Sequence, residues 1–421
     1  MRRAIVCAGV LCWCVACGAT PRDEMPNGAP AQAGDGALLP VGGAAGANGL
    51  LPTAPSTTNP SDEPDPQQPM NTAGTGAPEE MPMMEDPTPM AEVPQGIAPP
   101  EGFRAHAMDE CGLNSGWPGD EYCILPPPVD KGFQLHLGPS SYDNPEATYL
   151  LEPGEEWVHR LTATSGNAQD IKFYVRQYRM RPGAHHTIVR DTSTGRRLSG
   201  SDVNQDHPVD GITAPENAGI GIPLAAHAPL STDHHAINIT EDPLLQEVWV
   251  NFWYVDPAKV TETTTLLYDP GSVSETIAPH ADVVMGPYEC DIQGAGRLIS
   301  MFGHVHANDV RFSAWRTRAG VRAPIYDSYH WEDPLWLEFT SLAHNPVSDA
   351  TTEVDGGWTG ILDLQAGDTL GWECHEVNQQ DTTLYFVNQT YAGWMCIIIG
   401  ELVGTSCKTR NPGLIFDPTN E

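Results

Sequence analysis

Arg297-Leu298-Ile299-Ser300-Met301-Phe302-Gly303-His304-Val305-His306 runs into Ala307-Asn308-Asp309 and then into Val310-Arg311-Phe312-Ser313-Ala314-Trp315. The last run alternates apolar and polar residues, the period of a half-buried strand. The first reads as a strand too, and the triplet between them as a turn. The pattern continues outward. Toward the C-terminus, Trp336–Phe339, Gly360–Leu364, Thr369–Cys374, Leu384–Asn388 and Met395–Val403 are short β-forming runs with turn residues between them. Toward the N-terminus, Ile171–Arg176 alternates and stops at Arg181-Pro182-Gly183. Ala184–Val189 follows, and Glu247–Val255 is a dense β-forming run closed by Asp256-Pro257. No long segment carries the 3.6-residue period of an amphipathic helix. Many short strands at this spacing predict an all-β sandwich or barrel.

The chain has 421 residues, 55 acidic and 21 basic, for a formal charge of −34. Such acidity repels phosphate backbones and argues against a nucleic-acid partner. Met1-Arg2-Arg3 followed by an apolar run to Ala16 describes a secretory signal, too short for a membrane-spanning helix. Val15-Ala16-Cys17 resembles a bacterial lipobox with Cys17 as the lipid anchor, although Cys14 stands where Leu is usual; an ordinary signal peptide cut nearby is the alternative. The expected organisation is a signal at 1–17 and a disordered Pro/Gly/Ala-rich tether at 18–100, unable to bury enough apolar surface to offset its ordering entropy. Two folded parts follow, 101–268 and 269–412. The expected location is the cell envelope, at the outer membrane or cell surface, with the lipid as the sole membrane contact. Of 10 cysteines, six fall in the folded part: Cys111, Cys123, Cys290, Cys374, Cys396 and Cys407. An even number in an exported chain suggests three disulfides, and six cysteines allow 15 pairings.

Chemistry enters with the histidines. On a strand, His304 and His306 point to one face and stand within reach of one metal ion. His185 and His186 are adjacent, so a regular strand would send them to opposite faces; both reach one ion only where the backbone is kinked, and Pro182-Gly183 makes a local distortion plausible. Met395 becomes interesting beside an imidazole pair, because a thioether favours Cu(I), whereas zinc and iron prefer carboxylate or thiolate partners.

In order and spacing, Pro182-Gly183-Ala184-His185-His186, His304-Val305-His306 and Trp394-Met395-Cys396 resemble the copper-binding signatures of the ascorbate-dependent type II copper monooxygenases, the family of peptidylglycine α-hydroxylating monooxygenase and dopamine β-monooxygenase. Leu364–Leu370 with Cys374 adds to the likeness, which covers roughly 130–407. The resemblance implies two tandem jelly-roll-like β-sandwiches, each donating one copper. It makes His304, His306 and Met395 the catalytic, O₂-activating site and His185 and His186 ligands of an electron-supplying copper. It implies an ascorbate-like reductant and hydroxylation of a C–H bond in a small-molecule substrate. It also implies the pairings Cys374–Cys396 and Cys290–Cys407, leaving Cys111–Cys123.

Two departures qualify the likeness. Where the family has a third histidine on its electron-supplying copper, this chain has Asn251 or Trp253, so that site borrows another residue or is two-coordinate, weak or lost; His234, His235 and Met180 are substitutes by residue type. Where peptidylglycine enzymes bind a substrate carboxylate, this chain has Phe302 and Ile399, which predicts an apolar substrate. His375, beside Cys374, is a candidate outer-shell donor to the second copper. The alternative to an enzyme is an envelope copper-binding protein that kept the two imidazoles and the thioether and lost catalysis.

Overall fold

The computed structural model describes Phe103 and residues 107–202, 204–208, 214–348 and 352–410. The expected signal, the Cys17 anchor and the tether lie outside these residues. Among the described residues the protein is all-β, and helix appears only as single 3-10 turns such as Asp120–Tyr122 and Pro257–Lys259.

The ladders fall into two sets along the chain. In the first, one sheet orders Gly132–Leu137, Val248–Val255, Ile171–Met180 and Gln205–His207 side by side, with Ile222–Leu224 also pairing to Ile171–Met180. Its companion orders Glu156–Thr164, Pro229–Ile237, Ala184–Asp191 and Arg196–Ser201. In the second set, Thr264–Asp269, Cys396–Val403, Gly296–Val305 and Leu337–Glu338 form one sheet. The other runs Gly356–Gly357, Val321–Ser328, Asp309–Arg318, Thr369–Val377, Asp282–Ile292 and Cys407–Thr409. These large sheets are antiparallel throughout. Thr264–Asp269, expected at the end of the first part, pairs with Cys396–Val403 and so joins the second set.

Alternation explains both cores. Along Val248–Val255, Val250 and Phe252 turn inward to Phe133, Phe173 and Tyr178. Trp253 turns the other way, to Val175 and Phe103. In the second set, Phe312, Phe339, Trp372, Trp394 and the Cys374 and Cys396 sulfurs fill the interior. Each buried aromatic or branched side chain contributes about 1.5–3 kcal/mol relative to exposure. A smaller cluster crosses between the sets, joining Tyr174 and Ile220 to Ile299 and Val403. All described residues belong to one compact unit. The disulfides are Cys111–Cys123, Cys290–Cys407 and Cys374–Cys396. The last ties Thr369–Val377 in one sheet to Cys396–Val403 in the other.

Gly303 lies between Phe302 and His304, and a Cβ there would come within 2.4 Å of the Phe312 ring. Close packing behind the His304 strand therefore depends on a missing side chain. Gly303→Ala is expected to cost about 1–3 kcal/mol by overpacking, read as a lower midpoint in urea unfolding. An unchanged midpoint would mean that Phe312 yields freely.

Candidate metal centre

The first element is a locked turn. Arg181 is buried and donates to Glu247 at 2.8 Å, to Asp120 at 2.8 Å and to the Pro118 carbonyl at 2.9 Å. Gln246 donates to the Pro182 carbonyl at 2.8 Å, and the Ile237 amide to the Gly183 carbonyl at 2.7 Å. Gly183 has φ +89°, and a Cβ there would crowd Gln246 and Leu244 at 2.9 Å, so both conformation and space require glycine. Immediately beyond, the register against Pro229–Ile237 slips: Ala184 faces Ala236, but His186 faces His235. His185 is the extra residue of this bulge. A bulge re-aims a side chain, and here it brings His185 and His186 into one cluster, with ring centroids 5.2 Å apart.

The second element is the Gly296–Val305 strand with His306 just past its end. Phe302, His304 and, across the ladder, Ile399 and Ile397 share one face. The ladder ends at Val305 opposite Cys396, and Met395 comes just before Cys396. Met395 and His304 line one cavity.

The third element was not singled out by the sequence order. His235, opposite His186, stands 5.0 Å from both His185 and His186. His234, its neighbour, faces the other way, bonding Thr187 Oγ1 at 2.8 Å and Gln246 at 3.3 Å. Asn251, expected to mark a lost ligand position, is instead a structural amide on the outer face of its sheet. It donates to the Leu125 carbonyl at 3.0 Å and to Gln177 at 3.3 Å, and accepts from Gln134 at 3.0 Å. Trp253 donates to the same Gln177 at 2.7 Å. The additional imidazole comes from a different strand. His375 is likewise remote in role, bonding the exposed Asp282 at 2.6 Å.

The sequence reading assigned His185 and His186 to one ion and His304 and His306 to another. The structure gathers both pairs. The His185 ring is 5.2 Å from His304 and 5.7 Å from His306, and His186 is 5.3 Å from His304. Ligand nitrogens of His185, His304 and His306 all lie within 4.8 Å of one another. The five rings are buried or nearly so: His185, His235, His304 and His306 are at most 5% exposed.

Two carboxylates fix tautomers. Asp202 Oδ2 is 2.8 Å from His304 Nδ1, which donates and leaves Nε2 with a lone pair. Glu156 Oε1 is 2.9 Å from His235 Nε2 and also accepts the Thr390 amide at 2.6 Å, leaving His235 Nδ1 free. Burial raises the Glu156 carboxyl, but the bonds from His235 and Thr390 outweigh it and hold it below its usual value. These carboxylates lie 102 and 79 residues from their histidines in sequence, so no local pattern announces them.

Several ring nitrogens are buried and unpaired. His185 Nε2, His186 Nδ1 and His235 Nδ1 are buried without a hydrogen-bond partner, and the His306 nitrogens are buried with the Gln389 backbone as a polar neighbour. An unsatisfied buried polar atom costs about 1–3 kcal/mol. Several together fit a soft or borderline metal ion, for which neutral imidazole is a preferred donor. Burial, reinforced by neighbouring rings, holds His185, His186 and His306 neutral well below the usual pKa of 6.5.

The cluster opens on a cavity of about 380 Å³. Its apolar walls include Ile188, Leu198, Phe302, Trp336, Ile397 and Ile399. Phe302 and Ile399 stand there as the sequence predicts. No protein-family model matches the chain, and no curated protein matches it.

Because the folded rings resist protonation, the unfolded chain binds more protons below about pH 6.5. Stability from these rings is complete above that pH and is lost as pH falls, by about 1.4 kcal/mol per pH unit for each ring. The denaturation midpoint of the metal-free protein is expected to drop between pH 7 and pH 5, and His306→Gln to make the drop shallower. A midpoint that stays level over that range would contradict neutral burial.

Proposed function

We propose that this protein is a copper-dependent monooxygenase that hydroxylates a C–H bond of a largely apolar small molecule, using O₂ and an external reductant such as ascorbate. The reading rests on one observation: five imidazoles, four of them with buried unpaired nitrogens, cluster beside a mainly apolar cavity that His186, His304 and Met395 line. Copper is favoured over zinc or iron because the donors are imidazoles and a thioether, while the nearby carboxylates Asp202 and Glu156 are engaged on outer nitrogens. His185, His304 and His306 would hold one ion with Met395 beside it, and His186 with His235 would hold a second. Bound copper supplies one-electron redox chemistry and a place for O₂.

The chain's own side chains do the rest. Asp202 and Glu156 keep protons on the outer nitrogens, so the inner lone pairs stay available. Phe302, Ile397 and Ile399 exclude water and present an apolar wall on which a hydrocarbon segment can lie beside the rings. In finer architecture, each set of paired sheets is read as one jelly-roll-like sandwich, so that the site lies where two sandwiches meet. Three disulfides suit an oxidising compartment, in keeping with an exported, lipid-anchored chain. A copper carrier is the alternative, but a carrier needs an accessible ion and no adjoining cavity, whereas these ligands are buried beside one.

The copper-loaded full chain is expected to consume O₂ only when ascorbate is present. Met395→Ile, a near-isosteric change costing less than about 1.5 kcal/mol in stability, is expected to cut uptake by roughly an order of magnitude. Bound copper without ascorbate-dependent uptake would favour the carrier, and a chain that binds no copper would overturn both readings.

A further inference from the structure

The cavity has a second end. Along the strand Cys396–Val403, the residues sharing Met395's face are Ile397, Ile399 and Glu401. Four residues of strand span roughly 13 Å, so Ile399 lies about that far from Met395. Tyr268 is paired opposite Ile399 and Leu266 opposite Glu401. At this far end three arginines line the cavity: Arg176, Arg196 and Arg197.

Their surroundings differ. Arg176 is buried and bonded to Glu401 at 2.6 Å. Arg196 donates to the Thr264 carbonyl at 2.9 Å and to Thr263 Oγ1 at 3.2 Å. The Arg197 guanidinium lies 4.5 Å over the Tyr268 ring and has no carboxylate partner among the described residues. Of the cavity's carboxylates, Glu401 serves Arg176 and Asp202 serves His304. In a chain with 55 acidic and 21 basic residues, acidic partners are in excess. An arginine left without one in a half-buried cavity is therefore a feature of the cavity rather than of the composition. A guanidinium presents a planar fork of donors that matches a carboxylate.

We propose that the cavity takes an amphiphilic monoanion, its apolar body lying against Ile188, Phe302, Ile397 and Ile399 and its carboxylate-like head held by Arg197. This deepens the enzymatic reading, on which its meaning as a substrate site rests, and it names the class of substrate. The apolar segment next to the head-distant end lies at Met395 and the imidazoles, so the reacting C–H bond is remote from the anionic group. It also narrows the apolar substrate expected from Phe302 and Ile399 to one with an anionic head, whose partner sits in the Arg196–Ser201 strand.

Direct binding tests this without turnover. The full chain is titrated with decanoate, decanol and decyltrimethylammonium by calorimetry, with tryptophan fluorescence as a second signal. Decanoate is expected to bind about tenfold or more tightly than decanol, one charge-assisted contact's worth, and the cation most weakly. Arg197→Gln is expected to erase the preference for decanoate while leaving decanol affinity unchanged, and Arg197→Lys to restore part of it. Equal affinity for decanoate and decanol in the unaltered chain, no binding of either, or a preference that survives Arg197→Gln would overturn the proposal. Because no copper chemistry is read, the preference stands or falls separately from the monooxygenase reading: a chain that selects decanoate yet shows no ascorbate-dependent O₂ uptake keeps the pocket and loses the enzyme.

Discussion

Lone pairs held out of water are the constraint on which this molecule turns. His185, His186, His235 and His306 bury ring nitrogens that bond to nothing in the protein, and each such atom weighs against folding by about 1–3 kcal/mol. A fold tolerates that only where the surroundings overdetermine the side chains. Here they do. A bulge after a glycine turn aims His185, a ladder pairs His186 with His235, and carboxylates anchor His304 and His235 from behind. The same groups join the halves of the molecule: Asp202 reaches His304, Glu156 takes the Thr390 amide, and Arg176 meets Glu401. Each bond runs from the first set of sheets to the second, so the centre and the junction are one structure.

How much of this the sequence disclosed depends on range. Local patterns were legible. The period of two placed His304 and His306 on one face, and Pro182-Gly183 signalled the distortion that His185 and His186 require. The family likeness supplied the disulfide pairings found at Cys374–Cys396 and Cys290–Cys407. Long-range pairing was not legible. His234-His235 is an adjacent pair like His185-His186, and only the register of Pro229–Ile237 against Ala184–Asp191 decides that His235 faces the cluster and His234 faces Thr187 and Gln246. Asn251 misled because its strand resembles a ligand-bearing one in composition, yet its odd-numbered residues face away from the core. The gathering of all five rings could not be read from spacing, since it requires two sheet systems to meet.

The strand Cys396–Val403 ties the chemistry to recognition. Met395 just before it and then its alternate residues Ile397, Ile399 and Glu401 carry, in order, the thioether, two isoleucines and the glutamate that holds Arg176. One pleated face thus grades from soft metal donor through hydrocarbon to charge. A register slip of one residue would turn every one of these groups away, and the disulfide at Cys396 pins the strand at the metal end. Geometry that protects the centre from water is therefore the same geometry that would measure a ligand's length.

The atoms that surround copper in the reduced, loaded protein decide most directly whether a thioether and imidazoles hold it. X-ray absorption at the copper edge is expected to show imidazole scattering together with a sulfur shell, and Met395→Ile to remove the sulfur and leave the imidazoles. A spectrum of reduced copper with no sulfur in the unaltered chain, or with light-atom scattering that lacks the imidazole signature, would contradict a thioether-and-imidazole cradle.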